Sequence, residues 1–370
     1  MVVPVLLMAR ELDLGGSERQ MTQIARSLDR TQFQPHIGCF KAAGMRGDEL
    51  RDANIPVAEF KVHSYKSASA ITGGRDLVRY IRDHDIQLVH TFDYPLNVFA
   101  LPIVRVLTRA AVVSSQRAHR NLTPGVYLWL QRLTDRFVDG IVVNCMFLRA
   151  HLVADYGFPA KSVYVCYNGI DLAEFQPQGK TARNAFPPES MVIGVVSALR
   201  PEKGLLTLVE AFARIRRLRR NLKLAIVGSG PMLEALRSRA QELSITADCL
   251  FQPATIEVAA WLRAIDIFVL PSHSEGLSNS LMEAMACGCC CVASEVGGNP
   301  ELIGANARGL LFRAEDTGDL AGALQRLVSN ADLRRTLAQQ ASQFLHARFS
   351  LASSAECMGE IYHRLLANRG

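Results

Sequence analysis

The sequence predicts an α/β protein made of two doubly wound, Rossmann-like domains facing across a cleft. Three observations predict it. The chain has 370 residues, more than one ordinary α/β domain needs. Short β-rich runs alternate with helical periodicity, which is the rhythm of βαβ units around a mainly parallel sheet. That rhythm stops in a Pro- and Gly-bearing stretch, Asn168 to Glu189, and then starts again.

The elements follow in order. Val2 to Met8 is an apolar run that reads as a buried strand. A Gly15-Gly16 turn and a helix come next, with Met21, Ile24, Ala25 and Leu28 recurring at i, i+3, i+4 and i+7. Further strands are expected over Pro35 to Phe40, Val57 to Phe60, Ile86 to His90, Ala111 to Ser115, Gly140 to Asn144 and Val163 to Cys166. After the irregular stretch, strands are expected over Val192 to Val196, Lys223 to Val227, Ile267 to Leu270 and Cys290 to Ala293. Thr317 to Asn368 is helical in pattern throughout. Doubly wound sheets bind ligands outside the carboxyl ends of their strands, which places the expected cleft there.

Hydrophobic residues make up 49% of the chain and charged residues 21%, a globular composition that excludes a largely disordered protein. The net charge of +6 favours anionic partners such as phosphates or acidic headgroups and does not indicate nucleic acid. Nine cysteines are present, four of them crowded into Cys287, Cys289, Cys290 and Cys291 without a zinc-site spacing. No secretory leader precedes the first strand, and no apolar run is long enough for a membrane helix. Free thiols in a reducing cytoplasm are the economical reading.

Two segments carry chemistry. Ser274-Glu275-Gly276-Leu277-Ser278-Asn279-Ser280-Leu281-Met282-Glu283 follows the apolar strand Ile267 to Leu270. A strand, a Gly-containing turn and a helix start present backbone N–H groups at a positive dipole end, a geometry that holds phosphate. Glu283, about one turn into the helix, can accept from the two vicinal hydroxyls of a ribose. Glu275, before the turn, can address a transferred sugar. An isolated pair of glutamates at this spacing would be read as solvated surface; the strand-turn-helix context reverses that reading. The second segment, Ser197-Ala198-Leu199-Arg200-Pro201-Glu202-Lys203-Gly204, sets two cations three apart at a strand end, where they suit a diphosphate. Without a metal, such cations are what stabilises a departing diphosphate.

With these segments the chain resembles the family-4 retaining glycosyltransferases of GT-B architecture. The resemblance runs nearly end to end: Leu12 to Gln20, Asn168-Gly169-Ile170-Asp171 with Phe175, Arg200 to Gly204, Val227 to Pro231, Glu275 to Gly288 and Gly297 to Leu302. It implies a hexosyltransferase that moves a sugar from a UDP- or GDP-sugar to a glycan, lipid-linked or other acceptor, with retention and without a metal or other cofactor. It implies that Arg200 and Lys203 bind the donor diphosphate and Glu283 the ribose, while Glu275 and the backbone of Gly276, Leu277 and Ser278 address the sugar and phosphates. Gly16 would let the N-terminal domain approach the diphosphate without a side chain in the way. The domains are expected as 1–175 on the acceptor side and 176–349 on the donor side, with a C-terminal helix, 350–370, packing back toward the N-terminal domain.

Two departures from the family pattern stand out. Many relatives carry a histidine at the end of the fifth strand. Here the run is Val112-Val113-Ser114-Ser115-Gln116-Arg117-Ala118-His119, which puts Arg117 at the expected position and His119 two residues on. Strand alternation would point both to one face, so both are catalytic candidates, with Arg117 preferred. The second departure is Cys290 in place of a usual proline, which makes the cysteine cluster small apolar filler. Asp83-His84-Asp85 spells a metal-binding carboxylate pair but lies at the wrong end of its strand. Gly228-Ser229-Gly230 lacks the third glycine of a dinucleotide fingerprint. The sequon Asn121-Leu122-Thr123 has no secretory context, and the basic run Arg214 to Arg220 reads as a solvated face. Tyr127-Leu128-Trp129-Leu130 with Arg132 and Arg136 suits an interfacial helix, which makes the cytoplasmic membrane face a candidate surface. Two other readings keep the donor logic: a GT-B sugar-nucleotide epimerase, which needs added carboxylates and histidines, and a non-catalytic nucleotide-sugar-binding protein, which has no use for Glu275.

Overall fold

The computed structural model describes residues 2–13, 15–120, 123, 125–219 and 221–369. Leu14 of the first glycine motif, Asn121 and Leu122 of the sequon, and Arg220 of the basic run lie outside the described residues. The chain divides into two compact units, Met1–Gly169 with Leu351–Gly370, and Ile170–Ser350.

The first unit runs β1 (Val3–Met8), α1 (Gly16–Ser27), β2 (Phe33–Cys39), α2 (Met45–Asp52), β3 (Val57–Glu59), α3 (Ala68–Asp83), β4 (Leu88–Thr91), α4 (Tyr94–Leu107), β5 (Ala111–Gln116), α5 (Gly125–Thr134), β6 (Gly140–Val143), α6 (Met146–Tyr156) and β7 (Val163–Val165). Among the described residues these strands form one parallel sheet of seven, ordered β3-β2-β1-β4-β5-β6-β7. Both faces of the sheet are covered, so β1 is apolar at every position rather than alternating with polar residues. Val5 and Leu7 enter one core with Met21, Ile24 and Ala25 of α1, while Leu6 and Met8 enter the other with Leu77 of α3 and Leu101 of α4.

The second unit runs β8 (Met191–Val196), α7 (Leu205–Ile215), β9 (Leu222–Val227), α8 (Leu233–Glu242), β10 (Cys249–Gln252), α9 (Val258–Leu262), β11 (Ile267–Leu270), α10 (Asn279–Ala286), β12 (Cys290–Ser294), α11 (Asn299–Ile303), β13 (Leu310–Phe312), α12 (Thr317–Ser329) and α13 (Ala331–Arg348). Its described strands form a parallel sheet of six, ordered β10-β9-β8-β11-β12-β13. Residues 170–189 are irregular, as their composition requires, yet they pack within this unit. Phe175 and Phe186 are buried, and the Arg183 guanidinium donates to Asp266 (2.9 Å) and to the Ala264 carbonyl (2.8 Å). β10 and β13, which the sequence reading did not single out, are the two edge strands of this sheet, four and three residues long, and β10 is only half-buried throughout.

The long helical stretch breaks at Asn330 and at Phe349-Ser350 before α14 (Leu351–Ala367). Helix α14 belongs to the first unit, where Tyr362 is fully buried and its hydroxyl bonds His90 Nδ1 at 2.7 Å. The four crowded cysteines are all buried, and burial pushes the Cys287 and Cys290 thiols up to about 12. Such thiols are inert apolar filler.

Candidate functional site

In the second unit the strand order reverses between β8 and β11, so the crevice for a ligand lies between the loops that follow them. Those loops are 197–204 and 271–278, the two segments that the sequence singled out. They are tied to each other by backbone. The His273 N–H donates to the Glu202 carbonyl at 2.8 Å, and Gly204 sits at φ +61°, where a Cβ would lie 2.1 Å from the Pro271 carbonyl oxygen. No other residue fits there without moving one loop off the other.

Across this seam Lys203 Nζ donates to Glu275 Oε1 at 2.6 Å, and Ser272 Oγ donates to the same oxygen at 2.7 Å. Both ionic partners are largely shielded, the lysine side chain being 22% exposed and the glutamate 10%. Glu275 Oε2 carries no hydrogen bond among the described residues, which leaves it open to a ligand. Arg200 behaves differently: its side chain is 65% exposed and its nearest acid, Glu202, is 3.9 Å away. One cation is therefore held at the strand ends and the other reaches into solvent.

The helix beyond the turn begins after Ser278, whose Oγ accepts from the Leu281 N–H at 3.3 Å as an N-cap. Leu277 is buried beneath the turn. Glu283, the fifth residue of α10, is only 4% exposed, so it is not the solvated helix residue that an isolated glutamate would suggest. A carboxylate so placed needs a polar partner for its charge.

The turn itself is braced from below. The Gly298 N–H donates to the Gly276 carbonyl at 2.7 Å, and Gly297, at φ +56°, would drive a Cβ to 2.1 Å from the Glu275 carbonyl oxygen. Ser294 Oγ donates to the Ser272 carbonyl (2.6 Å), and Asn299 Nδ2 donates to the Ser294 carbonyl (3.0 Å). The Gly297 to Leu302 motif thus supports the Glu275 loop. Ser272 and Ser294 were not singled out in the sequence, because a buried serine at a strand end has no pattern of its own, and Asn299 entered only as a member of the Gly297 to Leu302 motif.

In the first unit the order reverses between β1 and β4. Gly15 caps α1 and Gly16 is its first residue. Opposite, Asp93 caps α4: Oδ1 accepts from the Leu96 N–H (2.9 Å) and Oδ2 from the Arg10 N–H (2.6 Å), while burial pushes its carboxyl up to about 6. Sequence reading missed Asp93, although Asp before Tyr-Pro is a helix-start signal.

Arg117 and His119 do not share a face. β5 ends at Gln116, so the strand alternation that would align them has already stopped. Arg117 lies 5.0 Å from the Phe92 ring centroid and donates to Asn168 Oδ1 at 2.7 Å, which ties it to the Asn168-Gly169 motif. Burial lowers its guanidinium to about 10. His119 instead stacks on His151 of α6, with centroids 4.0 Å apart, and burial followed by the neighbouring His151 lowers its pKa. Beside Arg117, the buried His90 bonds Tyr362 through Nδ1 and Ser115 Oγ through Nε2 (2.8 Å). Burial holds it well below the usual histidine range. Inside a continuous apolar strand run, His90 gave the sequence reading nothing to separate it from core.

Comparison with known proteins covers almost the whole chain. Residues 14–174 match the family described as Glycosyltransferase Family 4, and residues 179–344 match Glycosyl transferases group 1. A D-inositol 3-phosphate glycosyltransferase from Saccharomonospora viridis is 32% identical over 62% of this chain and 56% of its own length. The chain thus spans about half the length of that curated relative. A GDP-mannose-dependent alpha-(1-6)-phosphatidylinositol monomannoside mannosyltransferase from Mycobacterium tuberculosis is 28% identical over 80% of this chain and 82% of its own. Among solved structures, Anabaena Alr3699/HepE in complex with UDP and glucose superposes with a TM-score of 0.84 at 20% identity, covering 97% of this chain and 99% of its own, a likeness of fold.

Proposed function

Because the chain belongs to the family-4 glycosyltransferases and has their GT-B fold, we propose that it transfers a sugar, with retention and without a metal, from a UDP- or GDP-sugar to a glycan, lipid-linked or other acceptor. One observation carries the reading: Lys203 and Glu275 meet at the switch point of the second sheet, beside the N-terminus of α10. Arg200 and Lys203 hold the donor diphosphate and stabilise the charge that builds as it departs. Gly276, Leu277 and Ser278 present backbone to it at a helix start. Glu283 accepts from the ribose hydroxyls. Glu275 keeps Oε1 on Lys203 and Ser272 and offers Oε2 to a hydroxyl of the transferred sugar, so it couples the sugar to the cation that neutralises the leaving group. In the first unit, Arg117 is favoured over His119 because it is fixed beside the Asn168-Gly169 motif.

UDP and glucose in the Anabaena structure, and GDP-mannose in the name of the mycobacterial relative, support the choice of donors. No helix of the described residues is long and apolar enough to cross a membrane, so a cytoplasmic enzyme that works on a lipid-linked acceptor reaches it from the membrane surface. Helix α5 supports that reading, since it buries Gln131 and Thr134 and turns Val126 and Trp129 to solvent. The test is release of nucleoside diphosphate from UDP-, GDP- and ADP-sugars, alone and with acceptors. Binding without release from every donor would refute catalysis.

A further inference from the structure

In the first unit, rings from two segments gather past the carboxyl end of β5. His119, just beyond that strand, has its ring centroid 4.0 Å from His151 of α6 and 5.9 Å from Phe147, one turn earlier on the same helix. The Phe147 and His151 rings are nearly parallel, 7° apart. Tyr156 meets the edge of His151 at 5.2 Å, and the Arg132 guanidinium of α5 lies 5.1 Å from the Tyr156 centroid. These side chains line a cavity of about 630 Å³, within the size range of small-molecule sites.

One polar atom of this lining is left over. The His151 side chain is only 10% exposed, and its Nδ1 is bonded to Asp155 Oδ2. A carboxylate can only accept, so Nδ1 carries the proton and the neutral ring offers Nε2 as an acceptor. That Nε2 is buried with no hydrogen-bond partner among the described residues, an arrangement that calls for a hydroxyl donor. The charges of the lining are balanced, since Arg132 and Asp155 carry opposite signs. A neutral, polyhydroxylated ligand with one apolar face suits such a wall. A pyranose has that form: its C–H face packs on the negative face of an aromatic ring such as Phe147, which is 40% exposed. One hydroxyl donates to His151 Nε2, and others meet Arg132 and Asp155.

We infer that this cavity is a sugar subsite, holding a neutral pyranose of the acceptor on Phe147 and His151. The inference rests on the glycosyltransferase reading and narrows its acceptor to an oligosaccharide. The cavity lies beside β5 and β6, away from the reversal of strand order between β1 and β4, so the sugar it holds is one beyond the sugar that reacts. It also gives His119 a place in the wall of this subsite through its stack on His151.

The probes are the methyl α-pyranosides of glucose, mannose, galactose and N-acetylglucosamine, titrated into the full chain without donor and followed by ligand-observed NMR. At least one should bind the wild type. Phe147→Ala removes the ring on which the sugar packs, and His151→Phe keeps the stacked ring but removes the acceptor nitrogen. Each should weaken binding about three-fold or more. Phe147 is partly exposed and phenylalanine preserves the stack at position 151, so melting curves should match the parent. Release of nucleoside diphosphate from a donor alone should be unchanged in both variants. No pyranoside bound by the wild type, equal binding by both variants, or inorganic phosphate shifting the His151 ring resonances where the pyranosides do not would each overturn the subsite. Donor release with no pyranoside bound would refute the subsite alone. Pyranoside binding lost in both variants, with no release from any donor, would uphold the sugar site and refute the transfer.

Discussion

Replacing Glu283 or Glu275 with glutamine should separate two roles that the fold places a few residues apart. Glu283 is 4% exposed, so its charge acts in a dry setting. A hydrogen bond to a charged group there is worth about 1.5–3 kcal/mol, which is roughly a 12- to 150-fold change in affinity. Ribose contacts exist in ground and transition states alike, so Glu283→Gln should raise the donor KM by that factor with kcat little changed. Glu275 is bound to Lys203 at 2.6 Å and Ser272 at 2.7 Å through one oxygen, and glutamine keeps an oxygen for both. The loop should therefore keep its shape. What is lost is the charge beside the sugar that becomes oxocarbenium-like, so Glu275→Gln should lower kcat about ten-fold or more with a smaller change in KM. Steady-state release of nucleoside diphosphate across donor concentrations separates the two parameters, provided that melting curves match the parent. If Glu275 governed affinity and Glu283 were indifferent, the roles would be reversed. No effect from either would remove the donor site from this crevice.

Further outcomes are expected from the same geometry. Activity should persist in excess EDTA, because Arg200, Lys203 and the α10 start supply the positive charge; loss restored by manganese would refute this. Gly297→Ala should lower kcat, because its Cβ would lie 2.1 Å from the Glu275 carbonyl oxygen at φ +56° and force the loop to shift; unchanged turnover would show that the brace is dispensable. Tyr362→Phe should lower stability by about 1–3 kcal/mol in denaturant titration, since it leaves buried His90 Nδ1 unpaired. His90 itself should weaken the fold in acid. Burial holds its folded pKa well below the ordinary histidine value of about 6.5, so below about pH 6.5 the unfolded chain takes up a proton that the folded chain refuses, and stability falls as pH falls. A stability profile unchanged by His90→Gln in that window would contradict the assignment.

Much of the architecture was legible in the sequence because burial on both faces makes parallel strands read as continuous apolar runs. β1, β8, β11 and β12 announced themselves in this way, and α1 did so through its periodic Met21, Ile24 and Ala25. The edge strands β10 and β13 did not, because an edge strand is covered less completely, β10 being half-buried at every position, and its sequence lacks the continuous apolar run. The two loops of the crevice in the second unit were equally legible, since a strand end followed by Arg, Lys or Glu and then a helix start is a local signal. Only the tertiary structure decided what those side chains do to one another. It joined Lys203 to Glu275 across 72 positions of sequence, buried Glu283, and made the Gly297 turn a support for the loop above it. It also parted Arg117 from His119, because strand alternation holds only while the backbone is a strand, and β5 ends one residue before Arg117. Periodicity and turn chemistry are local and survive in the sequence; which charge meets which depends on how separate loops converge at a sheet edge, and that belongs to the folded chain.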